Sequence, residues 1–153
     1  MSAIDTATLI YEYTANVTSV AEYGIGLAAL ASGQVPPPPE GARIDVSFGG
    51  PVSGPRIAGV VKATDYLSVR ADGRFDLHIH GEITTGDGAR IAFFAGGVAL
   101  PRPGGGPIFE LRENISLFTS VPEYRWVNPL QVWGVGTVDL STQVIHIKGY
   151  SAS

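Results

Sequence analysis

The sequence predicts one all-β domain that closes into a small barrel. Three observations predict it. Short runs of alternating apolar and polar residues follow one another from Arg43 to Tyr150. Glycine-rich turn signals separate those runs. The 153 residues include 20 Gly and 11 Pro, a content that suits many short strands better than long helices. Nine or ten strands at hairpin spacing argue for a barrel or a sandwich, and closure removes the unpaired sheet edges.

The elements follow in chain order. Leu9 to Val17 (LIYEYTANV) is rich in aromatic and β-branched residues and reads as a first strand. Val20 to Ser32 predicts one short helical excursion, weakened by Gly24 and Gly26. Pro36 to Pro39 then form a stiff connector that no helix crosses. Strands are expected at Arg43 to Phe48, Arg56 to Ala63 and Tyr66 to Arg70, the last ending at Ala71-Asp72-Gly73. Arg74 to Thr84 alternates cleanly into Gly86-Asp87-Gly88, and an Asp-Gly step is a strong hairpin signal. Ala89 to Phe94 leaves that turn. After a glycine-rich loop at Pro101 to Pro107, strands are expected at Ile108 to Phe118, Tyr124 to Val127, Val132 to Val138 and Val144 to Tyr150.

Hydrophobic residues at 44% and charged residues at 16% place the chain among globular proteins, as a single domain over residues 1–153. The net charge of -4 and the lack of a dense basic patch argue against a nucleic-acid partner. The chain has no cysteine, which excludes disulfides, thiolate catalysis and iron–sulfur clusters. The opening MSAIDTATLI has neither a basic n-region nor a long apolar run, and the apolar segment Ile91 to Leu100 is too short to span a bilayer. A cytoplasmic location without membrane contact is the expectation. The same segment exceeds what one barrel is expected to cover, which points to a homo-oligomer.

Candidate chemistry concentrates in three places. Along Phe75 to Thr84, period-two alternation puts Phe75, Leu77, Ile79 and Ile83 on one face and Asp76, His78, His80, Glu82 and Thr84 on the other. The polar face is either the solvated outside of the barrel or a polar stretch of lumen. In the second reading His80 and Glu82 form an acid–base pair. His78 and His80, with Glu82 or His146, also resemble a facial metal set, but the spacing does not match a cupin and no second motif follows, so no metal is expected. Arg56 offers a planar fork for a carboxylate, enolate or phenolate, or else pairs with Asp65. Tyr124, Trp126 and Asn128 at spacing two suit a pocket wall or a core layer. No GxSxG, Walker-type loop or GxGxxG before a helix occurs, so serine-hydrolase, kinase and nicotinamide chemistry lack support and no cofactor is expected.

An ordered set of residues carries a resemblance. It runs through Gly49-Gly50, Gly54-Pro55-Arg56, Gly59, Asp65, Asp72-Gly73 and Asp87-Gly88-Ala89, then Phe118-Thr119 and Tyr124-x-Trp126-x-Asn128. Over about Leu9 to Tyr150 the chain resembles the bacterial and fungal proteins of uncharacterised protein family 0311, domain of unknown function 3237. The resemblance implies a small antiparallel barrel similar to calycins and allene-oxide-cyclase-like barrels, and no established activity. The chain departs from the pattern at His80-Gly81, where the family usually carries an Arg-Tyr pair, and in a longer segment from Ala21 to Pro39.

These readings converge on a cofactor-free acid–base enzyme, an isomerase, cyclase, hydratase or lyase, acting on a small apolar or aromatic carbonyl compound. Arg56 and Tyr124 would hold a developing oxyanion and His80 or Glu82 would move the proton. Trp126, Asn128, His78 and Asp65 would line the ligand site. The alternative is a non-catalytic calycin-type binding protein for a small hydrophobic ligand, in which the same residues only orient it. A third is a structural barrel filled by its own side chains.

Overall fold

In the computed structural model, which describes residues 5–152, the chain forms one closed antiparallel barrel of eight strands, each hydrogen-bonded to the next in sequence and the last to the first. The strands are β1 (Ala7–Glu22), β2 (Ala42–Ser53), β3 (Gly59–Val69), β4 (Phe75–Thr85), β5 (Arg90–Pro101), β6 (Ile108–Phe118), β7 (Val132–Asp139) and β8 (Val144–Ala152). A five-residue helix, α1 (Leu27–Ala31), lies between β1 and β2.

The count of eight differs from the nine or ten expected, for two physical reasons. The expected strands Arg56 to Ala63 and Tyr66 to Arg70 merge into the single strand β3 (Gly59–Val69): Thr64 and Asp65 pair with Ser47 and Val46 of β2, on a ladder unbroken from Gly59 to Val69, and with His80 and Ile79 of β4. Tyr124 to Val127 is not a strand but part of a 3-10 helix over Pro122–Val127. Pro122 stands in its first turn, where the fixed φ favours helical entry, and the Tyr124 N–H donates to the Val121 carbonyl at 3.0 Å. The helical excursion is also shorter than expected. After a bulge between Val17 and Ser19, β1 continues to Glu22 by pairing with β2, which leaves only Leu27–Ala31 helical.

Alternation fills the interior. Leu77, Ile79 and Ile83 of β4, Ile91, Phe93 and Ala95 of β5, and Phe109, Leu111 and Ile115 of β6 are all buried. The apolar segment Ile91 to Leu100 therefore divides: its inner residues sit in the core, while Phe94 and Leu100 are exposed.

The two ends of the barrel differ. One end carries the β2–β3, β4–β5 and β6–β7 connections and is packed solid: Ile57, Val61, Ile83, Ile91, Val127 and Val132 are each at most 1% exposed. The other end carries α1 and the remaining turns, and there the core opens into a cavity. Among the described residues, no helix is long and apolar enough to cross a membrane.

Candidate functional site

The cavity has a volume of about 300 Å³, near the lower end of the range for small-molecule sites. Its wall is largely apolar: Phe48, Leu67, Phe75, Leu77, Phe109 and Leu111 are among the residues that face it. Leu27, Ala28, Leu140 and Gln143 sit at its mouth with Glu22, whose carboxylate accepts the Leu27 N–H at 2.6 Å and so ties β1 to the start of α1.

Two carboxyl groups enter this apolar space. Asp65 of β3 and Glu113 of β6 both line the cavity and are 8% and 2% exposed. Asp65 accepts the backbone N–H of His78 at 2.9 Å. Glu113 Oε2 has no hydrogen-bond partner among the described residues, nor does the hydroxyl of the fully buried Tyr11. Burial raises both carboxyls, because charge is disfavoured in a low dielectric. Asp65 is pushed up to about 6, held back by the His78 N–H. Glu113 is pushed up to about 8 by burial and by repulsion from Asp65. Burial and the same acids keep the Tyr11 and Tyr13 phenols protonated, well above their ordinary range. At neutral pH the lumen thus holds one carboxylate and one carboxylic acid.

The sheet register explains how Glu113 and Tyr11 fit inside. One level of the wall reads Tyr11, Gly149, Gly134, Glu113, Gly97 and Leu77 on successive strands. Glycines occupy both strands next to Glu113 and the strand next to Tyr11. A Cβ at Gly149 would lie 2.5 Å from Tyr11 Cε1, and one at Gly134 would lie 3.3 Å from Glu113 Oε1. Tyr11 and Glu113 fill space that Gly149 and Gly134 vacate, whereas a Cβ at Gly97 would meet the Arg112 carbonyl. Gly149→Ala is therefore expected to destabilise the protein by about 1–3 kcal/mol, since the buried Tyr11 ring has nowhere to move. Thermal denaturation checks it, and a melting temperature equal to wild type would show that the ring shifts freely.

Most of the residues expected from sequence lie elsewhere. His78 and His80 are exposed on the outer face of β4, and Glu82 pairs there with Arg90 at 3.0 Å. The period-two face that carries them is the solvated one, because the opposite face of β4 supplies the core. Among the described residues no three His, Cys, Asp or Glu side chains converge to hold a metal ion. Arg56, Tyr124 and Trp126 gather at the packed end, outside the cavity. The Arg56 guanidinium stacks 3.9 Å over the Trp126 ring, and Tyr124 donates to the Asp87 carboxylate at 3.1 Å. Asn128 spans the Thr119 backbone, accepting its N–H at 2.9 Å and donating to its carbonyl at 2.8 Å, which secures the turn into the 3-10 helix. The structure places only Asp65 of the expected set in the lumen, and its partner is the His78 backbone instead of Arg56.

Sequence reasoning missed Glu113, Tyr11 and Tyr13. A signal was present: Glu113 stands in step with Phe109, Leu111, Ile115 and Leu117, a charged residue on the apolar face of its strand.

The family model described as "Protein of unknown function (DUF3237)" matches residues 25–151. A comparison with curated proteins finds no match. Among solved structures, a protein of unknown function from Clostridium acetobutylicum is similar at a TM-score of 0.78 and 20% identity, with 97% of each chain covered. A β-barrel-like protein from Acinetobacter baumannii is similar at 0.77 and 16% identity, covering 97% of this chain and 96% of that one. An enzyme from Penicillium herquei is similar at 0.65 and 19% identity, covering 97% of this chain and 94% of that one.

Proposed function

The chain belongs to the DUF3237 family, whose description assigns no activity, and from its own lumen we propose a cofactor-free acid–base enzyme acting on a small apolar or aromatic carbonyl compound. One observation carries the reading: two buried carboxyls share one apolar cavity, Asp65 with a backbone N–H donor and Glu113 Oε2 with no partner among the described residues. Environments that push two titratable groups apart assign them to base and acid roles. Asp65, the weaker holder of a proton, is the base. It removes a proton from the carbon beside the substrate carbonyl. Glu113, the stronger holder, donates its proton to the carbonyl oxygen, so an enol forms without a separated charge in the lumen. Where a double bond lies beyond the α-carbon, Asp65 returns the proton to the far end of the dienol while Glu113 takes back the hydroxyl proton, which is isomerisation. Where the carbon next to the α-carbon bears a leaving group, the enol expels it with its bonding pair as Glu113 takes back the hydroxyl proton and Asp65 protonates the departing group, which is elimination. The likeness to a structure described as an enzyme agrees with a catalytic reading at the level of the fold.

Deuterium exchange tests this directly. Aryl alkyl ketones such as acetophenone, incubated with the protein in heavy water, should exchange their α-protons faster than in buffer alone, as read by proton NMR. The rate should follow a bell-shaped pH profile with its maximum near 7, because Asp65 must be ionised and Glu113 protonated. Binding of such ketones with no acceleration at any pH would leave a carrier instead of an enzyme.

A further inference from the structure

The placement of charge in this barrel says which ligands it admits. All ten Lys and Arg side chains of the sequence are exposed, and so are His78, His80 and His146. Among the described residues, the ionisable groups that face the cavity are Glu22 at the mouth, Asp65 and Glu113 within, and the Tyr13 phenol; none is cationic. One of them, Glu113, is 2% exposed, and its Oε2 has no partner among the described residues.

From this we infer that the lumen selects uncharged carbonyl ligands and excludes carboxylates, with the carbonyl oxygen seated at the Glu113 carboxyl group. The inference rests on the reading of Asp65 and Glu113 as the site and narrows its substrate class.

The physical argument compares three ligands of one shape. A carboxylate would leave water for an apolar cavity that already holds a carboxylate, with no cation to meet it. Neither part of that penalty is recovered. An ammonium would meet Asp65 favourably, but it would shed its own hydration and displace the proton that Glu113 retains at neutral pH. A neutral carbonyl accepts that proton in a hydrogen bond and changes no charge.

The pH dependence follows from every group that faces Glu113. Tyr11 and Tyr13 on β1 stay protonated through the neutral range, Asp65 on β3 repels a second negative charge, and the adjoining positions on β5 and β7 are glycines. Affinity for a neutral carbonyl should therefore hold through pH 7 and fall as Glu113 ionises above about 8.

Isothermal titration with acetophenone, benzoate and benzylamine, at pH 6.5 and pH 9.5, tests the inference on the intact chain. The expected result is measurable binding of acetophenone at pH 6.5, at least tenfold weaker binding at pH 9.5, and benzoate weaker than acetophenone at both. In Glu113→Gln the amide still donates, so acetophenone binding should persist and lose its pH dependence; this arm reads the contact even if wild type is fragile at high pH. Benzoate binding as well as acetophenone, benzylamine binding best at pH 6.5, or no binding of any of the three would overturn the inference. Preference for benzylamine leaves the acid–base reading intact, because Asp65 and Glu113 still form the site. Acetophenone binding without α-proton exchange defeats the catalytic reading and leaves the ligand class standing.

Discussion

Glu113→Gln should make the protein more stable than wild type at alkaline pH. Glu113 has a proton affinity raised from an ordinary value near 4.5 to about 8. Between those values the folded chain binds a proton that the unfolded chain has released. Stability therefore falls as pH rises through that window, by up to about 5 kcal/mol for a displacement of this size. Gln keeps the volume and removes the charge. Its amide lacks partners much as the neutral acid does, so the two proteins should match within about 1 kcal/mol at pH 4. At pH 9 the variant should lead by roughly 2–4 kcal/mol, or about 5–15 °C in melting temperature. Asp65 contributes the same sign over a lower window, up to about 6. Melting curves of both proteins from pH 4 to 9 decide the matter. A variant less stable than wild type at pH 9 would mean that the carboxylate has an unrecognised cationic partner.

Asp65→Asn should abolish exchange while sparing the fold. The amide keeps the shape and its oxygen can still accept the His78 N–H, as the carboxylate does where the β3–β4 pairing lapses between Asp65–Ile79 and Ser68–Asp76. It cannot take up a proton at neutral pH. Removing a positioned base typically lowers a rate by about 10²–10⁴-fold. The α-proton exchange rate should fall by that factor, while the melting temperature at pH 7 stays level or rises. His80→Ala, on the exposed outer face of β4, should leave the rate unchanged. The contrast separates the lumen from the polar face of the same strand. A rate lost in His80→Ala and kept in Asp65→Asn would return the chemistry to that face.

The two faces of β4 show what the sequence discloses and what it withholds. Period-two alternation and the Asp72-Gly73 and Asp87-Gly88 turns were enough to predict an all-β chain and most strand limits, because pleat geometry and positive-φ turns are local. Closure into eight strands was not local. Whether Thr64-Asp65 breaks a strand depends on its partners in β2 and β4, and whether Tyr124 to Val127 extends or coils depends on Pro122 and on the cap over the packed end. The site was harder for a different reason. Polar residues in sequence draw attention to polar faces, so His78, His80 and Glu82 stood out, yet the inside of a small barrel is written on the apolar face. The informative residues are the exceptions there: Asp65 in step with Val61, Ala63, Leu67 and Val69, and Glu113 in step with Leu111 and Ile115. A carboxylate keeping the parity of valines and leucines is costly to bury, and that cost is the signal.

The unlike ends of the barrel have a kinetic consequence. With Ile57, Val61, Val127 and Val132 sealing one end, whatever reaches Asp65 and Glu113 arrives past Leu27, Ala28 and Leu140 and departs the same way. Traffic through a single doorway is strictly sequential. A product still seated blocks the next substrate, so product inhibition should be competitive, and a second reactant larger than water has no separate entrance. The architecture suits rearrangement or elimination within one molecule, one occupant at a time.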